Sequence, residues 1–264
     1  MNRIEKKFAA LAAAKKKALI IYLMAGDPDL AMTEKLVLAL EQAGADLIEL
    51  GVPFSDPIAD GPVIQRAAER ALKSETTLAS ILSLVRRVRE RTDIPLILMG
   101  YENPIFKYGE ARFVEDAVKA GVDGLIVPDL PMEEAAPLLA QCDRQGLDLI
   151  FLAAPTSPPA RLKKLADMTR GFLYYVSMTG ITGTALDDYA DVRKQVQAIK
   201  RLTDKPVAVG FGISTPDRAK RVAEFADGVV VGSAVVKMIS DTGGQSAEKV
   251  AAFVRALKDA VGRE

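Results

Sequence analysis

The sequence predicts a single (β/α)8 barrel with an extra helix ahead of its first strand. Three observations carry that expectation. Short runs rich in Val, Ile and Leu recur eight times. Longer stretches with helical spacing separate them. The 264 residues show no break in composition, and barrels of this class commonly fill about that length as one unit, so one domain is expected over residues 1–264.

The elements follow in order. A helix over Ile4–Ala14 is placed to plug the N-terminal end of the barrel. Lys15-Lys16-Lys17 then lead into Leu19–Met24. A basic stretch before an apolar run imitates a signal peptide. This run is short, closes at the turn Gly26-Asp27-Pro28 and supplies a strand that the pattern needs, so it is read as the first strand. The other runs are Leu47–Leu50, Leu96–Met99, Gly124–Val127, Leu149–Leu152, Phe172–Val176, Val207–Val209 and Gly228–Val231. They do not alternate cleanly with polar residues, as expected of parallel strands buried on both faces. Helices are expected over Leu30–Ala43, Val63–Leu72, Leu78–Glu90, Ala111–Ala120, Glu133–Gln145, Pro159–Met168, Tyr189–Leu202, Pro216–Phe225 and Ala247–Leu257. Several stop at a glycine, such as Gly121 and Gly146. A phrase recurs at strand entries: Ala43-Gly44-Ala45-Asp46, Ala120-Gly121-Val122-Asp123 and Phe225-Ala226-Asp227-Gly228. It reads as a structural echo of a repeated βα unit. A doubly wound open sheet is the alternative. It would want a glycine-rich fingerprint where the chain has Met24-Ala25-Gly26-Asp27-Pro28.

Composition limits the chemistry. Lys+Arg and Asp+Glu are 35 each, which argues against a general affinity for nucleic acid or anionic membrane. No segment is long enough to span a bilayer, and a cytoplasmic protein is expected. There is no His, and Cys142 is the one cysteine. Cys–His and Ser–His machinery and His-ligated metals are thereby excluded, and proton transfer falls to Asp, Glu, Lys, Tyr or water. No metal is expected.

Barrel active sites form at the C-terminal ends of the strands. Glu49 lies there, inside the apolar strand Leu47-Ile48-Glu49-Leu50. An ionised carboxylate in that setting is costly unless paired or protonated. It is read as an acid–base residue against the alternative of a structural Glu. The loop Pro53–Pro62 holds three prolines and two aspartates. Asp60 precedes Gly61-Pro62, so spacing alone leaves helix capping and catalysis both open for it. Glycine turns follow the seventh run (Gly210-Phe211-Gly212-Ile213-Ser214) and the eighth (Gly232-Ser233-Ala234). Such turns let backbone N–H groups approach a phosphate. The stretch Ser177–Thr184 after the sixth run has the composition of a lid.

The string Gly51-Val52-Pro53-Phe54-Ser55-Asp56-Pro57-Ile58-Ala59-Asp60-Gly61-Pro62-Val63-Ile64-Gln65 closely resembles the signature of the tryptophan synthase alpha chain family. The resemblance spans the chain, through Pro128-Asp129-Leu130-Pro131 and Gly180-Ile181-Thr182-Gly183 to both glycine turns. It implies a carbon–carbon lyase that reversibly cleaves indole-3-glycerol phosphate to indole and glyceraldehyde 3-phosphate. It implies no cofactor in this chain, a beta-chain partner that carries pyridoxal phosphate and receives the indole for L-tryptophan synthesis, and an α2β2 heterotetramer. By the same resemblance Glu49 is the acid–base residue, and Asp60 hydrogen-bonds the indole N–H. Gly183, Gly212, Gly232 and Ser233 match phosphate-contacting positions. Tyr174 and Thr182 match positions near the glycerol moiety and the lid. Tyr22, Ile64, Met99, Tyr101 and Phe211 match the indole pocket. A free-standing lyase, a non-catalytic barrel and another phosphate-binding barrel are the competing readings.

Overall fold

The computed structural model describes residues 2–177, 189–210, 212–242 and 247–262. Its strands are β1 (Ala18–Met24), β2 (Leu47–Gly51), β3 (Leu96–Met99), β4 (Gly124–Ile126), β5 (Asp148–Leu149), β6 (Leu152–Ala153), β7 (Leu173–Val176), β8 (Val207–Gly210) and β9 (Gly228–Val231). All pairings are parallel, in the order β5-β4-β3-β2-β1-β9-β8-β7-β6. The predicted fifth strand, Leu149–Leu152, is therefore two short segments. They lie on one continuous stretch that closes the ring. On one side Ile150 N donates to Leu125 O at 2.9 Å, and on the other Tyr174 N donates to Phe151 O at 3.1 Å. Eight staves result, as expected of a TIM barrel.

The helices are α1 (Arg3–Ala13), α2 (Leu30–Gln42), α3 (Pro62–Lys73), α4 (Leu78–Arg89), α5 (Glu102–Tyr108), α6 (Glu110–Ala120), α7 (Ala136–Gln145), α8 (Pro159–Met168), α9 (Ala190–Lys200), α10 (Pro216–Ala223), α11 (Ser233–Asp241) and α12 (Ala247–Val261). Three differ from expectation, one of them α11, a helix not expected after the last strand although it buries Val235, Val236 and Ile239. The helix expected from Glu133 begins at Ala136, where Pro137 in the first turn sets the start. The short α5 has only Ile105 buried, so it shows no apolar period to find.

Strand residues alternate between two cores, the period-two consequence of the pleat. Leu19, Ile21, Leu23, Ile48, Leu50, Leu96 and Leu98 face the helices. Ile20, Leu47, Ile97, Ile126, Ile150, Phe172 and Val230 fill the barrel, where Ile4, Phe8 and Leu11 of α1 plug the N-terminal end. Each fully buried aliphatic side chain contributes about 1.5–3 kcal/mol relative to exposure. The recurrent aspartates have a job at that same rim. Asp46, Asp123 and Asp227 accept the amides of Leu19, Leu96 and Val207 at 2.8, 2.9 and 3.0 Å. Each also pairs with a cation: Lys258, Arg89 and Lys200 respectively. Each carboxylate thus ties its own strand entry to the neighbouring strand. No helix among the described residues is long and apolar enough to cross a membrane.

Candidate active site

The opposite rim carries the candidate chemistry. Glu49 sits on β2 in register with Tyr22 on β1, one inward position above Leu47. It is 1% exposed, and among the described residues its Oε1 has no hydrogen-bond partner. Burial pushes its carboxyl up to about 8. At neutral pH it is therefore mostly the protonated acid, which offers a proton and recovers it readily.

Asp60 is not a helix cap. Gly61 occupies the N-cap position of α3, and no side chain among the described residues caps that helix. The Asp60 backbone carbonyl accepts Gln65 Nε2 at 2.8 Å. Its half-buried carboxyl is raised by burial and pulled back by a hydrogen bond from Tyr101. The Ala59 amide donates to the same Tyr101 hydroxyl at 3.0 Å.

The expected pocket walls come together in part. Tyr22, Ile64 and Met99 share one apolar cluster with Val63, Met24 and Val236. Tyr101 packs its ring on Phe54 at 5.4 Å. Tyr174 lies across the lumen, and its phenol is raised by burial, by Glu49 and by Tyr22. Both tyrosine hydroxyls rest over strand-end glycines. A Cβ at Gly51 would lie 2.0 Å from Tyr22 Oη, and one at Gly210 would lie 2.3 Å from Tyr174 Oη. Those two glycines are needed for close approach.

The glycine turns flank the same mouth. Gly212 has φ +72°. Gly232 is the N-cap of the nine-residue α11, where no side chain among the described residues caps the helix and Ser233 is the first, exposed residue. The open amides and positive end of that helix suit an anion. Thr182, Gly183 and Phe211 lie outside the described residues, as does nearly all of the expected lid. The structure adds two lumen-facing residues that the sequence reading missed. Leu152 and Val176 pack on the lumen cluster beside Met99. Counting two residues on from Ile150 and from Tyr174 finds them.

Comparison with known proteins decides the family. The model of the tryptophan synthase alpha chain matches residues 8–262. The chain belongs to the tryptophan synthase alpha chain family. A tryptophan synthase alpha chain of Geotalea uraniireducens is 56% identical over 262 residues, covering 99% of this chain and 98% of that one. One from Geobacter sulfurreducens is 54% identical and covers 99% and 100%. The crystal structure of tryptophan synthase subunit alpha from Legionella pneumophila superposes with a TM-score of 0.92 at 40% identity, covering 99% and 98%. A chain of the tryptophan synthase complex of Pyrococcus furiosus gives 0.85 at 40% identity, covering 92% and 98%. The resemblance read from the signature around Asp60 thus extends along almost the whole alpha chain.

Proposed function

We propose that this tryptophan synthase alpha chain cleaves indole-3-glycerol phosphate to indole and glyceraldehyde 3-phosphate, with Glu49 as acid–base and Asp60 as the partner of the indole nitrogen. The observation that carries the assignment is Glu49, a carboxyl buried in the lumen with an oxygen unpartnered among the described residues and a raised pKa. Protonated Glu49 gives its proton to the ring carbon that bears the glycerol chain. The ring nitrogen takes the positive charge, and Asp60 accepts its N–H and stabilises it. The Glu49 carboxylate then removes the proton from the adjacent hydroxyl. The carbon–carbon bond breaks, its electron pair restores the indole, and the hydroxyl carbon leaves as the aldehyde. Glu49 ends protonated, so the cycle balances without a metal.

Tyr22, Ile64, Met99, Tyr101 and Phe211 line the indole side in this reading. Tyr174 and Thr182 stand by the glycerol chain. Gly183, Gly212, Gly232 and Ser233 hold the phosphate, supported by the uncapped start of α11. The chain works as one domain in the cytoplasm. It delivers indole to a beta chain that carries pyridoxal phosphate, within an α2β2 complex.

The test is indole release from indole-3-glycerol phosphate, with and without a beta chain. Glu49→Gln should abolish turnover while substrate still binds, and Asp60→Asn should lose most of the rate. Near-normal turnover in either variant removes that residue from its role.

A further inference from the structure

Tyr101 ends the β3 stave and stands at the N-cap of α5, with 4% of its surface exposed. A pocket wall needs only its ring. Its hydroxyl, however, is engaged by the loop between β2 and α3. The Ala59 amide donates to it at 3.0 Å, and it stands beside the carboxylate of the next residue, Asp60, close enough for each to shift the other's titration. The ring meets the same loop at Phe54, 5.4 Å away. A phenol has one proton to donate and lone pairs to accept with. The Ala59 N–H occupies the accepting side, which directs the proton to Asp60.

Elsewhere that loop is held locally. Ser55 bonds its neighbour Asp56, Ile58 is 82% exposed, and Gln65 reaches only the Asp60 backbone. The loop's first residue is held by Val52 N donating to Met99 O at 2.8 Å, and Tyr101 ties its far end, at Ala59, to the barrel wall. We infer that Tyr101 is a positioning residue for the lyase reaction, fixing the loop and holding the Asp60 carboxylate ready to accept the indole N–H. This rests on the role proposed for Asp60 above.

The electrostatics agree. Asp60 serves only while ionised, yet burial raises its pKa, and the Tyr101 hydrogen bond opposes that rise. Among the described residues, the titratable groups facing Asp60 are Tyr22 from β1 and Tyr101. Tyr22 itself feels Glu49 and Asp27, and Tyr101 feels Asp129. None of these is a cation, so a neutral donor does the work.

Tyr101→Phe tests this, because it keeps the ring and its Phe54 contact and removes the hydroxyl that holds the Ala59 amide and stands beside Asp60. Turnover should fall roughly 10- to 100-fold, the worth of a hydrogen bond to a charged group at about 1.4 kcal/mol per factor of ten. KM should change less than kcat. The acidic limb of the kcat/KM profile should move to higher pH, since a donor that lowered the Asp60 pKa is gone. A residue that only shapes the pocket would alter KM and leave that limb in place. An unmoved acidic limb overturns the inference, whatever happens to kcat. Asp60→Asn separates the two proposals. If that variant turns over normally, the role of Asp60 itself fails. If it is impaired while the Tyr101→Phe limb stays put, only the positioning role fails. In the double variant, Tyr101→Phe should add little to the loss from Asp60→Asn, and fully additive losses contradict the linkage.

Discussion

Replacing Glu49 by glutamine should stabilise the fold while removing the chemistry. Glu49 is 1% exposed, and its carboxyl is raised from 4.5 to about 8. Between those values the unfolded chain has released the proton and the folded chain retains it. The unfolded state therefore binds fewer protons, and stability falls as pH rises through this window. With about 1.36 kcal/mol per pKa unit, the penalty is about 1 kcal/mol at pH 5 and about 3 kcal/mol at pH 7. Glutamine has the same shape and no charge, so its stability lacks this dependence. Urea unfolding of both proteins at pH 5, 6, 7 and 8 measures the difference directly. The gap in unfolding free energy should widen by about 2–3 kcal/mol from pH 5 to pH 7 in favour of Glu49→Gln. Parallel curves for the two proteins would refute the reasoning, because Glu49 would then titrate alike in both states. Such a result would also weaken its reading as a protonated acid at neutral pH.

Two other perturbations probe the rest of the mouth. At Gly232 an added methyl would meet Tyr22 Cβ at 3.4 Å, an ordinary contact. Gly232→Ala should therefore leave the melting temperature unchanged and raise KM for indole-3-glycerol phosphate by about tenfold, the loss of one backbone contact to phosphate; an unchanged KM would take the phosphate away from this turn. Asp27 is 3% exposed and held by Arg70 through two bonds of 2.7 Å. Arg70→Ala strands that carboxylate and should cost about 2–3 kcal/mol in urea unfolding, with Arg70→Lys recovering only part because the two-pronged contact is lost.

The barrel was legible because its signals are periodic. Runs such as Leu19–Met24 and Gly228–Val231 mark strands by composition, and glycines at 121 and 146 end helices where they stand with positive φ. Two of the exceptions lack a period, whereas the unexpected α11 has one in Val235, Val236 and Ile239. Helix α5 buries one apolar residue, and the fifth stave is divided between partners on opposite sides. At the site, Glu49 was legible because a carboxylate inside an apolar strand contradicts its surroundings. Asp60 was not, because capping and catalysis leave the same mark beside Gly61-Pro62. Only the structure gives the cap to Gly61. Nor does the sequence show Tyr101 meeting this loop, since Ala59 and Tyr101 lie 42 positions apart and meet through a path that spacing does not encode.

The divided fifth stave makes the ring a clasp. Residues 148–153 hold β4 with two register pairs and β7 with two more, whereas β1 and β2 share five. Before the clasp lie Glu49, Asp60, Ile64 and Met99; after it lie Tyr174, Gly212, Gly232 and Ser233. The groups proposed to break the bond and those proposed to grip the phosphate therefore belong to opposite arms. A substrate held by both arms stabilises the fastened form by mass action. Hydrogen exchange at 148–153 should slow more on substrate binding than exchange in β1, so this stretch of backbone reports occupancy of a site to which it contributes no acid.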